Sequence, residues 1–142
     1  MASDIPWEIR LTLRAGSVYY FQEHGLTSAE PHYFIVINSQ PLEQLQVVLV
    51  VISSKIQKGK RLRADLPGTV VQIEPKDYDE LKTSSIVDCN VIFRRSLSEL
   101  VDRIRRKEVR HHKDLPNQLL DAIRAAVKMS TLVEEETKAL ID

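Results

Sequence analysis

Hydrophobic positions in the first two-thirds of the chain come in short runs that read as strands. Ser17–Phe21 (SVYYF) follows Gly16 and His32–Asn38 (HYFIVIN) follows Pro31. Both are rich in the aromatic and β-branched side chains that suit a pleated, half-buried surface. Val47–Ile52 is six apolar residues without a break, too short for a helix and too apolar to face water on either side. TVVQIEP at 69–75, after the turn signal Pro67-Gly68, predicts a fourth strand. SSIVDCNVIF at 84–93 predicts a fifth, or two strands broken near Asn90. Between the first two runs, EHGLTSAEP reads as a polar, mobile loop at 22–31.

The period then changes. Leu97, Leu100, Val101 and Ile104 fall at i, i+3, i+4 and i+7, with Ser96 placed to cap the amino end, which predicts a short amphipathic helix. Leu119, Leu120, Ile123, Ala126 and Val127 make a second stripe that starts after Asp114-Leu115-Pro116 and fades near Ser130. Val133–Ile141 is a shorter helical candidate. Strands joined by short turns and then helices, without crossover helices between strands, predict an α+β fold. The expected form is a small, strongly bent antiparallel sheet or barrel with helices at the C-terminal end. At 142 residues and without a visible linker, the chain reads as a single domain over 1–142. It is strand-rich from about 10 to 93 and helical from about 96 to 141.

Composition narrows the function classes. Hydrophobic residues at 43% and charged ones at 28% are near the globular average, and an apolar run of six is far short of a bilayer span. No membrane partner is expected. The amino end, MASDIPWEIR, lacks the basic and apolar regions of a secretory signal, which makes the cytoplasm the default location. Cys89 is the single cysteine, so an intramolecular disulfide and a CxxC metal site are both excluded, and it reads as a packed small hydrophobe. His111 and His112 are adjacent, and His24 and His32 lack partners at ligand spacing; no metal ligand is assigned. With four glycines there is no phosphate-binding glycine loop, GxSxG elbow or HExxH. No cofactor is expected.

Lys plus Arg equals Asp plus Glu at twenty each, so any field is local. Val47–Ile52 runs into Ser53-Ser54 and then into Lys55, Lys58, Lys60, Arg61 and Arg63, five cations in nine positions without a carboxylate. A second basic stretch at 103–113 holds six cations against Glu108, while acids gather at 74–80 and 134–136. Two readings of SSK stay open. Either the serines end a strand and the lysines keep a loop soluble, or a hydroxyl on a rigid strand and the cations beyond it hold an anion.

LRAGSVYYF (13–21), PHYFIVIN (31–38), VVLVVISSKI (47–56), TVVQIEP (69–75) and TSSIVDCNVIF (83–93), followed by SLSELVDRI (96–104) and LLDAIRAAV (119–127), resemble in order and spacing the MazF/PemK toxin family. The resemblance covers about residues 10 to 129. It implies an SH3-like antiparallel β-barrel with a carboxyl-terminal helix, usually a homodimer. The implied activity is metal-independent cleavage of single-stranded mRNA, with the 2′-OH attacking its neighbouring phosphate. The implied partner is an acidic antitoxin protein.

By position the family's catalytic hydroxyl falls on Ser53, with Ser54 beside it. The place usually held by arginine is Pro31, followed by His32 where the family has proline; the acid usual after the glycine is Ser17, after Gly16. His32 can replace the missing group as acid or base, or be a strand-end histidine with an ordinary hydrogen bond. Ser54, Lys55, Lys58, Lys60, Arg61 and Arg63 are the RNA-binding candidates; Arg94 and Arg95 can line the same groove with at most one of them pointing in, and Arg94 joins the candidates. Tyr19, Tyr20, Tyr33 and Phe34 alternate along two strands, so one of each pair either packs in the core or offers a stacking surface for bases. Two alternatives accompany the enzyme: the same barrel as a non-catalytic module for a protein partner or nucleic acid, and an unrelated α+β domain.

Overall fold

The computed structural model describes residues 5–23, 26 and 30–141; most of the predicted 22–31 loop, including His24, lies outside them. Seven strands form one antiparallel sheet: β1 (Val18–Phe21), β2 (His32–Val36), β3 (Gln46–Ser53), β4 (Val70–Ile73), β5 (Ser85–Asp88), β6 (Phe93–Ser96) and β7 (Arg110–His112). The order across the sheet is β4-β5-β3-β2-β1-β7, with β6 also pairing β3. The sheet is open, ending at β4 and β7. Its centre is β3, which carries β2 along one edge and shares the other between β6, opposite Gln46–Leu49, and β5, opposite Ile52 and Ser53. The break expected near Asn90 is the corner between β5 and β6.

Helices cover both faces. Val48, Val50 and Ile52 of β3 join Ile35 and Ile37 in a cluster with Leu120, Ile123 and Val127 of α5 (Asn117–Met129), the numbering following α1 (Trp7–Thr12), α2 (Pro41–Gln44), α3 (Ile56–Leu62) and α4 (Leu97–Arg105). Val47 and Leu49 join Phe34, Val36 and Phe93 in a second cluster with Ile9 of α1 and Leu97, Leu100 and Val101 of α4. Side chains alternate across a strand, so a strand covered on both faces is apolar at every position; this is why Val47–Ile52 shows no alternation. Ser96 caps α4 by accepting from the Glu99 N–H at 3.2 Å. The expected third helix is α6 (Glu135–Ala139). Among the described residues no helix is long and apolar enough to cross a membrane.

Three expectations change. The basic stretch at 55–63, read as a loop, is helix α3 (Ile56–Leu62) with Lys55 and Arg63 as its caps. His111 and His112, inside the stretch expected to be helical from about 96 to 141, lie in edge strand β7, paired with Tyr19 and Val18. They face opposite sides of the sheet, His111 against the Tyr19 ring at 5.2 Å and His112 against Tyr33 at 5.0 Å. Trp7–Thr12 is helical without having been predicted. Its apolar residues, Trp7, Ile9 and Leu11, alternate like a strand's, and only Ile9 is buried.

Candidate functional site: a cleft at the end of the central strand

The register of β2 on β3 pairs Tyr33 with Ile52 and Phe34 with Val51. One step further sets His32 opposite Ser53, both on the face that carries Phe34 and Val51. On the other edge Ser53 pairs with Ile86 of β5. Over this face lies α3. Gly59 faces β5 across this contact: a Cβ there would meet Cδ1 and Cγ2 of Ile86 at 3.5 Å, an ordinary van der Waals distance.

Between α3 and the strand ends opens a cleft of about 520 Å³. Val51 and Ile86 floor it, and His32, Ser53 and Ser54 form its sheet-side rim. Lys55, Lys58, Gly59 and Leu62 form the helical wall, spaced i, i+3, i+4, i+7 on one face of a helix. Lys55 and Lys58 are exposed and form no ion pair among the described residues. Two carboxylates, Glu30 and Asp88, also line the cleft; Asp88 is held by Arg63, Nε to Oδ2 at 2.8 Å.

The rim has defined hydrogen-bond polarity. Ser53 Oγ accepts the Lys55 N–H at 3.1 Å, which leaves the hydroxyl proton able to donate elsewhere. His32 Nδ1 lies 2.9 Å from the Glu30 carbonyl oxygen. A carbonyl only accepts, so in the neutral ring the proton sits on Nδ1 and Nε2 carries the lone pair. The rim therefore offers a proton acceptor, a hydroxyl donor and two ammonium groups around one opening, a set suited to an oxyanion.

The other predicted RNA-binding residues separate. Lys60 and Arg63 lie on the opposite flank of α3, lining a depression of about 270 Å³ with Val70 and Gln72 of β4. Arg61 is exposed and lines neither cleft. Arg94 is not in the groove. It pairs with Val48, five residues from Ser53 or roughly 17 Å along the strand, on the opposite face. There it binds Gln46 Oε1 at 3.0 Å and Glu136 Oε1 at 3.1 Å. Arg95 points to the cleft's face but is engaged by the buried Glu23 at 2.9 Å. Of the four aromatics, Tyr19 and Phe34 are core and Tyr20 and Tyr33 are half-buried.

Sequence reasoning missed α3 as a wall, and with it Gly59, Leu62 and Asp88. The available signal was the spacing of Ile56, Gly59 and Arg63, one per turn, with no proline before Pro67. Among the described residues no three His, Cys, Asp or Glu side chains converge as metal ligands. Cys89 is fully buried, and burial, with Asp88 adding to it, pushes its thiol up to about 12, so it is no nucleophile near neutral pH.

No protein-family model matches this chain. No curated protein matches it either.

Proposed function

We propose that this chain binds single-stranded RNA across the strand-end rim and cleaves it without metal, in the manner of the MazF/PemK toxins it resembles. One observation carries the reading: His32 and Ser53, each one step beyond the Tyr33–Ile52 pair, line the mouth of one cleft whose facing wall presents Lys55 and Lys58. With a phosphodiester on the rim, His32 Nε2 takes the proton from the ribose 2′-OH, and the 2′ oxygen attacks phosphorus. The bond from phosphorus to O5′ breaks, leaving a 2′,3′-cyclic phosphate and a 5′-hydroxyl that takes its proton from solvent. Lys55 and the Ser53 hydroxyl stabilise the charge developing on the non-bridging oxygens. Lys58 and its neighbours on α3 hold the next phosphate without reading sequence.

The family's SH3-like barrel, homodimeric state and acidic antitoxin belong to the same proposal. A central strand that passes one edge from β6 to β5 supports a barrel-like bend; the unpaired edges β4 and β7 count against closure. An acidic, apolar antitoxin segment complements the cations of α3 and the exposed Leu62 beside them.

A non-catalytic RNA or protein module is the second reading, and specific features favour it. No arginine lines the cleft, Glu30 and Asp88 reduce its positive charge, and Arg63 is spent on Asp88. The test incubates purified protein with a long single-stranded RNA in a chelator, beside His32→Ala, Ser53→Ala and Lys55→Ala/Lys58→Ala. Discrete cuts ending in cyclic phosphate, abolished by His32→Ala and slowed by the other variants, are expected of the enzyme. Intact RNA bound in a lysine-dependent way leaves the module. RNA neither bound nor cut overturns both nucleic-acid readings.

A further inference from the structure

The rim separates two clefts, not one. On the opposite face of the sheet a second cleft, of about 310 Å³, shares His32 and Ser54 with the first. Its lining differs in kind. Tyr20 and Tyr33, cross-strand partners in β1 and β2, bring their rings to 4.8 Å at 52°. His112 meets Tyr33 edge-on at 5.0 Å and clamps Glu80, Nδ1 to Oε2 at 3.2 Å. The Tyr33 hydroxyl donates to the Glu80 carbonyl oxygen at 3.4 Å. Lys82 stands at the same mouth.

Resting on the RNA reading, we infer that this second cleft is a nucleobase subsite, holding the base next to the bound phosphodiester and favouring bases that carry an exocyclic amine. The charges divide the work: ammonium groups on the first face hold phosphate, whereas Glu80 repels phosphate and accepts hydrogen bonds from an amino group. A space of this size is at the small end of ligand sites, which run from roughly 300 Å³ upward, and it suits one flat base. Tyr20 and Tyr33 supply the aromatic surface on which a base stacks, with the rings braced by their contacts to each other and to His112. Only Oε2 of Glu80 is occupied by His112; Oε1 has no hydrogen-bond partner among the described residues. A strand crossing the rim thus leaves its phosphate beside His32 and Ser54 and turns one base into the far cleft.

Binding of short 2′-O-methyl homopolymers, which lack the attacking hydroxyl and stay intact, tests this by fluorescence anisotropy. Oligo(A) and oligo(C) are expected to bind more tightly than oligo(U), and an abasic ribose-phosphate oligomer more weakly than all three. Tyr33→Leu should weaken oligo(A) binding between about five- and one-hundred-and-fifty-fold, the span of one base–aromatic stack, and leave the abasic oligomer unchanged. Tyr33→Phe keeps the ring and should retain most of the affinity, which separates stacking from misfolding. Glu80→Gln should erase the preference for amino bases. Lysine-dependent binding that ignores base identity, with Tyr33→Leu silent, overturns the subsite and leaves the RNA reading standing. Failure of wild type to bind any oligomer, abasic included, overturns both.

Discussion

Removing the Asp88 carboxylate unlatches α3 from the sheet. Asp88 sits at the end of β5, where its Oδ2 accepts from Arg63 Nε at 2.8 Å and its Oδ1 accepts from the Asn90 backbone N–H at 3.1 Å and side-chain Nδ2 at 2.8 Å. Arg63 is the C-cap of α3, so this pair ties the helical wall of the cleft to its floor. Asn90 continues the network, donating to Thr69 Oγ1 at 2.7 Å and accepting from the Ser130 hydroxyl at 2.5 Å. The Arg63 and Asp88 side chains are 17% and 19% exposed, which places the pair between a surface ion pair, worth about 0–1 kcal/mol, and a buried one, whose breaking costs about 3–5 kcal/mol. Asp88→Ala strands one guanidinium and one backbone N–H, while Asn90 Nδ2 keeps Thr69. The expected loss is about 2–3 kcal/mol. With a urea slope of about 1.5–2 kcal/mol/M for a domain of this size, the midpoint should fall by about 1–2 M. A double-mutant cycle with Arg63→Ala should return a coupling of about 1–2 kcal/mol. A midpoint moving by less than about 0.3 M, or additive single mutants, refutes the latch.

Gly59→Ala should stabilise by about 0.5–1 kcal/mol, because alanine lowers the entropy of the unfolded helix segment and its Cβ meets Ile86 at ordinary van der Waals distance; a lower urea midpoint would mean that α3 sits closer to β5 than described. Cys89 should resist a thiol reagent in the native protein and titrate as one thiol in denaturant, since burial raises its pKa to about 12; rapid native labelling would contradict its burial. His111 has its pKa lowered from 6.5, chiefly by burial and in spite of Asp114. The unfolded chain therefore takes up the proton first, and this contribution to stability, present above pH 6.5, is lost as pH falls from 6.5 through the lower value of the folded state. Urea midpoints from pH 8 to 5 should decline less in His111→Gln than in wild type, and superimposable declines would remove His111 as the cause.

Local patterns carried much of the architecture. The unbroken Val47–Ile52 run, the 3.6-residue stripes after Ser96 and Pro116, the Ser96 cap and the break near Asn90 are each written in a few adjacent residues, because backbone geometry imposes periods of two and 3.6 on any buried face. Those signals set the elements, the α+β class and the burial of β3 on both sides. Ser53, Ser54, Lys55 and Lys58 were legible as neighbours in sequence. Their convergence with His32 was not, since it depends on which residue of β2 stands across from Ser53, and a slip of one position would turn His32 to the other face. The helical form of 56–62, the diversion of Lys60 and Arg63 to the far flank, the capture of Arg63 by Asp88 and the exile of Arg94 to the opposite face were decided by tertiary packing. Periodicity fixes which side chains share a face of one element; only the register between elements and the helix laid across them determine which faces meet.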